Sequence, residues 1–130
     1  MAFKLGPRSL LNLRGVHPDL VRVVRRAISI SDIDFTVIEG IRTPARQKEL
    51  FAKGATKTMR SRHIHGFAVD IAPYVAGSIR WDWPLFDKIE AVMKKAAKLE
   101  NVQITWGGDW KSFKDGPHWE LPHTKYPDPK

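Results

Sequence analysis

Four residues carry the most specific chemistry this 130-residue chain offers: His63, Asp70, Asp115 and His118. Six residues separate His63 from Asp70, and Gly66 lies among them. A neutral imidazole and a carboxylate are natural zinc ligands, and a glycine turn lets a loop residue and a strand residue face one centre. A third ligand is on offer in Asp115-Gly116-Pro117-His118-Trp119-Glu120. If 118–121 is extended, His118 and Glu120 share one face, opposite Trp119 and Leu121. Two His and one Asp around zinc leave a fourth position for water, which is the catalytic pattern and not the closed structural one. Asp115, across a Gly-Pro turn from His118, is placed to act on that water as a general base.

Spacing alone leaves other readings open. The chain has five histidines, and short motifs match readily by accident, so a His–Asp pair is also read as an ordinary surface pair. His65 forms a His-x-His pair with His63; in an extended loop both would point the same way. His17 and His123 have no motif context and read as surface residues. There are no cysteines, which excludes disulfides, a cysteine nucleophile, iron–sulfur clusters and thiolate zinc fingers. Any metal must be held by His, Asp and Glu.

The elements that must position these residues follow from periodicity. Residues 18–30 read as an amphipathic helix, with Leu20, Val23, Val24, Ala27 and Ile28 on one side and Pro18 at its start. Phe35 to Ile38 reads as a strand ended by Gly40. Thr43-Pro44 and Gly54 bracket a second helix over 44–53. Residues 55–65 show little periodicity and read as a loop. Phe67, Val69 and Ile71 alternate with small or acidic residues, which predicts a strand with Asp70 on its outer face. Leu85, Phe86, Ile89, Val92, Met93 and Ala96 form the stripe of a third helix. Residues 102–106 read as a strand, Gly107-Gly108 as a turn, and 118–121 as a last strand. The expected fold is a single α+β domain with about three helices and a small, mainly antiparallel sheet carrying the metal site. Residues 1–121 form that domain, and 122–130, rich in proline, a C-terminal tail.

Composition is that of a globular domain, with 42% hydrophobic and 28% charged residues. No apolar run reaches the ~18–20 residues that span a bilayer. The N-terminus lacks an apolar core of signal-peptide length, so synthesis and retention in the cytoplasm are expected. A net charge of +8 suggests an acidic partner, either nucleic acid or an anionic cell surface. Basic residues include Arg22, Arg25, Arg26, Lys57, Arg60, Arg62, Lys94, Lys95 and Lys98, the last three reading as a solvated helix face.

Ser61-Arg62-His63-Ile64-His65-Gly66-Phe67-Ala68-Val69-Asp70 resembles the Ser-x-His-x-x-Gly-x-Ala-x-Asp signature of the D-alanyl-D-alanine metallopeptidases. That family includes the vancomycin-resistance D,D-dipeptidases and several phage endolysins. Asp115-x-x-His118 resembles its second element, an acid followed by the third zinc ligand. The flanks Phe3-Lys4-Leu5-Gly6, Val37 to Thr43, Asp70 to Tyr74 and Trp106 to Trp110 are similar to the phage L-alanyl-D-glutamate endopeptidases. The likeness runs from about Phe3 to Leu121.

The resemblance implies that His63, Asp70 and His118 bind Zn2+ and that Asp115 is the catalytic acid/base. Arg42 matches an arginine that stabilises the transition state in the dipeptidases; a turn-capping surface arginine is the plain alternative. Ser61 matches a serine near the substrate, and a loop-ordering hydroxyl is its alternative. Asp109 and Glu120 are either partners that orient the ligand imidazoles or plain surface carboxylates. The implied function is an endolysin, a zinc peptidase cutting the peptidoglycan stem peptide, most directly at L-alanyl-D-glutamate. D-alanyl-D-alanine carboxypeptidase activity is the alternative within that chemistry. The expected partner is bacterial peptidoglycan and not nucleic acid, and the chain is expected to be a monomer. It would accumulate in the host cytoplasm until released to the wall. No wall-binding module is expected after His118, and Lys111-Ser112-Phe113-Lys114 lacks the acidic residues of the calcium-controlled loop in some relatives. A basic nucleic-acid-binding module with tryptophans as stacking platforms is the rival from another class. It leaves His63, Asp70, Asp115 and His118 unexplained.

Overall fold

In the computed structural model, residues 3–54, 61–112 and 114–128 are described. Lys57 and Arg60, and Phe113 of the basic loop, lie outside them. The described chain forms four helices, α1 (Pro7–Asn12), α2 (Pro18–Ile30), α3 (Pro44–Ala52) and α4 (Trp83–Glu100). Five strands accompany them: β1 (Phe35–Glu39), β2 (Ala68–Val75), β3 (Ser78–Ile79), β4 (Thr105–Trp106) and β5 (His118–Glu120). The sheet runs in the order β1-β2-β5-β4, with β3 a hairpin partner of β2, and every pairing is antiparallel. The α+β expectation therefore holds.

The helices start where the sequence marks a start. His17 caps α2 by accepting from the Asp19 N–H, and Thr43 caps α3 by accepting from the Arg46 N–H. Pro18 and Pro44 follow as first helical residues, where a missing N–H costs nothing. The apolar stripe of α2 faces that of α4, and Arg26 pairs with Glu100 at 2.8 Å to tie their ends together. Phe35, Val37, Val69, Ile71, Trp106 and Trp119 supply the sheet's contribution to the same core. Since neighbours on a strand alternate, Asp70, His118 and Glu120 are left on the opposite face.

Four features depart from the expectation. Helix α1 was not foreseen, because six residues are too few to show a helical period. Its role is at the sheet edge: Ser9 Oγ accepts from the Val37 N–H and Asn12 Nδ2 donates to the Val37 carbonyl, blunting the outer edge of β1. Within the expected 55–65 loop, Arg62–His65 forms a 3-10 turn. Strand β2 runs on past Ile71 to Val75 and turns through Ala76 and Gly77 into β3. The expected 102–106 strand is paired only at Thr105–Trp106.

The C-terminal segment lies on the body of the protein. Tyr126 packs against the core, and its hydroxyl donates to Asp19 Oδ2 at 2.7 Å. No described helix is long and apolar enough to cross a membrane.

Candidate metal centre

The centre forms where two pairings of β2 meet. Asp70 is opposite Glu39 of β1 and opposite His118 of β5, so the antiparallel register brings the last strand's histidine beside the aspartate. His63 arrives from the 3-10 turn, which Ser61 caps through its hydroxyl and Gly66 closes at φ +75. A Cβ at Gly66 would stand 2.5 Å from the Gly15 carbonyl oxygen, so this tight return needs glycine. Gly40 is held as firmly: a Cβ there would lie 1.8 Å from the Asn12 carbonyl oxygen. The Gly40 carbonyl accepts from His63 Nδ1 at 2.8 Å.

These contacts fix which nitrogens are offered. A carbonyl only accepts, so His63 Nδ1 carries the proton and its Nε2 lone pair faces Asp70. Glu120 Oε1 lies 2.8 Å from His118 Nε2, which directs His118 Nδ1 to the same aspartate. His63 Nε2 and His118 Nδ1 are each 3.3 Å from Asp70 Oδ1. Two donors about 2.0–2.1 Å from one tetrahedral ion lie about 3.3–3.4 Å apart, so the spacing suits zinc. Both His63 Nε2 and Asp70 Oδ1 are buried without a hydrogen-bond partner. Unpartnered buried polar atoms are costly, and a shared cation would satisfy these two together. Among the described residues this is the group of three His, Asp or Glu donors that could hold a metal.

Charge is tightly coupled here. Burial would raise the Asp70 carboxyl, yet the imidazoles of His118 and His63 hold it far below the usual carboxylate range. Burial disfavours charge on His118 as well, but Asp70 and Glu120 outweigh it and push the imidazole up to about 9. Asp115 moves the other way: burial, then the negative charge of Asp70, raises its carboxyl. The charged groups that act on it are Asp70, His118, His63 and Arg42. A carboxyl that binds its proton more firmly than usual beside a possible metal site is suited to proton transfer.

Arg42 is largely covered, its side chain 9% exposed, and held on several sides. Its Nε pairs with Glu39, and Nη1 donates to Gln47 Oε1 at 2.8 Å and to Ser61 Oγ at 3.4 Å. Nη2 faces Asp70 Oδ2 at 4.0 Å. The surface, turn-capping alternative for Arg42 is thus not what the fold uses. Ser61 Oγ also accepts from the His63 N–H, an ordering contact. Glu120 orients His118, whereas Asp109 pairs with Lys94 at 2.9 Å and is an exposed carboxylate.

His65 is exposed and stacks toward Phe67, outside the cluster. His17 caps α2 and is more than a surface residue, while His123 is exposed. The sequence reading did not single out Glu39, Gln47 or Trp110. Gln47, fully buried in α3, carried a faint signal as a polar residue in an otherwise short helical face. Trp110 lies 5.0 Å from the His118 ring, centre to centre, and nothing in its spacing announces it. Trp106 and Trp119 are core residues stacked at 5.7 Å and closed to any nucleic-acid base.

The antiparallel sheet with His63, Asp70 and His118 converging on one face defines a peptidase class with a candidate metal centre. More narrowly, the chain belongs to the phage L-alanyl-D-glutamate peptidase family, whose model matches residues 1–122. It is 37% identical over 119 residues to the L-alanyl-D-glutamate peptidase of Escherichia phage T5, covering 88% of this chain and 87% of that one. It is 35% identical over 114 residues to the peptidoglycan L-alanyl-D-glutamate endopeptidase CwlK of Bacillus subtilis, covering 75% and 66% of the two chains. A peptidase of Listeria phage A118 is 31% identical over 122 residues, and there the match spans 42% of the relative's length. In three dimensions the fold is similar to the Serratia marcescens L-Ala D-Glu endopeptidase ChiX. The TM-score is 0.90 at 46% identity, covering 94% of this chain and 92% of the other.

Proposed function

We propose that this protein is a zinc-dependent endolysin that hydrolyses the L-alanyl-D-glutamate bond of the peptidoglycan stem peptide. The observation that carries the reading is the pair of orphaned, buried donor atoms on His63 and Asp70, 3.3 Å apart, with His118 Nδ1 completing the set. The names of its relatives support the choice of bond.

His63, Asp70 and His118 would hold the ion. Bound there, zinc supplies Lewis-acid polarisation of the scissile carbonyl and lowers the pKa of water from 15.7 toward about 7. Asp115 takes a proton from the attacking water onto its carboxylate. It then returns that proton to the nitrogen of the leaving D-glutamyl residue, so the amide C–N bond breaks as the new C–O bond is kept. Arg42, fixed by Glu39 and Gln47, offers Nη2 to the oxygen that gains negative charge. Ser61 keeps both Arg42 and the His63 backbone in place.

The catalytic domain is residues 1–121, acting as a monomer at the wall after synthesis in the host cytoplasm. The net charge of +8 favours residence on an anionic envelope.

The test is lysis of purified peptidoglycan with and without chelator, with zinc restored afterwards, and mass analysis of the products. The expected products are a muramyl-L-alanine end and a peptide with a free D-glutamate amine. Release of free D-alanine would reassign the bond to carboxypeptidase chemistry, and lysis insensitive to chelation would remove the metal from the mechanism.

A further inference from the structure

We propose that the C-terminal segment 122–128 is a latch on the metal centre, acting through Arg62 and Glu120 on the ring of His118. The inference rests on the metal-centre reading above. It concerns a segment that begins where the family-model match ends, at 122.

Arg62 precedes the ligand His63 in sequence and its side chain is 3% exposed. Four groups surround its guanidinium. Nη1 donates to Asp128 Oδ1 at 2.6 Å, Nη2 donates to the Leu121 carbonyl at 2.8 Å, and the Phe67 ring centre lies 4.4 Å from the guanidinium carbon. Nε is buried without a hydrogen-bond partner and faces Glu120 Oε2 at 3.9 Å. The other oxygen of that same carboxylate, Oε1, is 2.8 Å from His118 Nε2. Glu120 is therefore shared between the His118 imidazole, the buried Arg62 guanidinium and the exposed His123 ring, the last also 3.9 Å from Oε2, and its close contact is with His118.

That division depends on Asp128. A guanidinium does not give up its proton, so a buried one needs a carboxylate. Asp128 answers the charge from the tail, which leaves Glu120 free to hold His118. Take away the Asp128 charge, and Glu120 is the remaining carboxylate paired with Arg62 among the described residues. Arg62 and Glu120 then close their 3.9 Å gap, Oε1 turns from His118, and the ring loses the contact that aims Nδ1 at Asp70. The segment has a second anchor that keeps Asp128 in reach. The Tyr126 hydroxyl bonds Asp19 and its ring meets His17 edge-on at 5.2 Å. Arg62 and Asp128 are thus positioning residues: neither reaches the donor cluster, and both act through Glu120.

The probe is cobalt(II) titrated into the full metal-free chain, read by its visible d–d absorption and by competition with a chelator. Asp128→Asn keeps an acceptor for Arg62 but removes the charge. It should weaken cobalt binding about 3–10-fold, below the ~10–100-fold cost of losing a ligand's direct partner, and change the d–d spectrum. Asp128→Glu should restore both, with far-UV circular dichroism unchanged throughout. Unaltered affinity and spectrum in Asp128→Asn would overturn the latch, and so would weaker binding with an unchanged spectrum, which is general loosening. If the unsubstituted chain bound no cobalt, the underlying metal-centre reading would fail instead, so the two failures are distinguishable.

Discussion

His118 Nε2 and Glu120 Oε1 stand 2.8 Å apart, two residues along one short strand, and this contact decides which ring nitrogen is left for a metal. A strand places residues i and i+2 on one face, so the carboxylate is delivered to the ring by β5 itself. Partners of this kind orient the ligand and raise its basicity. Glu120→Ala should therefore lower zinc affinity about 10–100-fold while the fold persists, measured by chelator competition alongside far-UV circular dichroism.

Asp115→Asn separates binding from turnover. The amide cannot accept the water's proton, so turnover on peptidoglycan should fall ~10²–10⁴-fold. Zinc content after dialysis should stay at the wild-type level. Near-normal lysis by this variant would remove Asp115 from the proton-transfer role.

Arg42→Lys tests the geometry of the guanidinium. A lysine cannot reproduce contacts to Glu39, Gln47 and Ser61 while presenting a nitrogen to the cluster. If the contact serves developing charge, as proposed, a loss of about 10²–10³-fold in kcat is expected, with a smaller change in KM. Steady-state kinetics on a soluble stem-peptide substrate resolves the two.

The docking of Tyr126 on Asp19 should depend on pH at both ends. The hydroxyl bond from Tyr126, then that from Arg22, lowers the Asp19 carboxyl, so its stabilisation is present above 3.8 and fades as pH falls through the lowered value. The same bond raises the Tyr126 phenol, so its stabilisation is present below 10.0 and is lost as pH rises through the raised value. The chain has two tyrosines. In a Tyr74→Phe background, phenolate absorbance should report a titration above 10.0, returning toward it when Asp19→Asn is added.

Ala76 occupies the first central position of the two-residue β2–β3 turn at φ +52, followed by Gly77 at φ +83. Both positive angles define a type I′ turn, where Asn-Gly is preferred and an alanine is strained. Ala76→Asn should stabilise the protein by about 1 kcal/mol, seen as a higher urea midpoint with an unchanged slope.

Much of this architecture is written in the chain. The stripe of α2 and its Pro18 start fix Pro18–Ile30, and the alternation around Asp70 fixes which face the carboxylate takes. Asp70 and His118 meet because β2 and β5 pair in the register that sets one against the other, and the 3-10 turn brings His63 to them. Periodicity could not show α1, which is a single turn and a half whose Ser9 and Asn12 satisfy the outward N–H and carbonyl of Val37. Nor could it show Gln47 and Glu39 around Arg42, or Arg62 against Asp128, since those contacts depend on how distant elements pack. Arg62 is one more basic residue until burial singles it out.

The β2–β3 turn also has a use that concerns assembly. It divides the chain so that Arg42, His63 and Asp70 fall on one side and Asp115, His118 and Glu120 on the other. Cut at Ala76–Gly77, neither piece owns a complete donor set, and the ladder between β2 and β5 is what would have to rejoin them. Metal capture by a mixture of the pieces would then count reunited molecules directly, making this hairpin a natural seam for a split reporter.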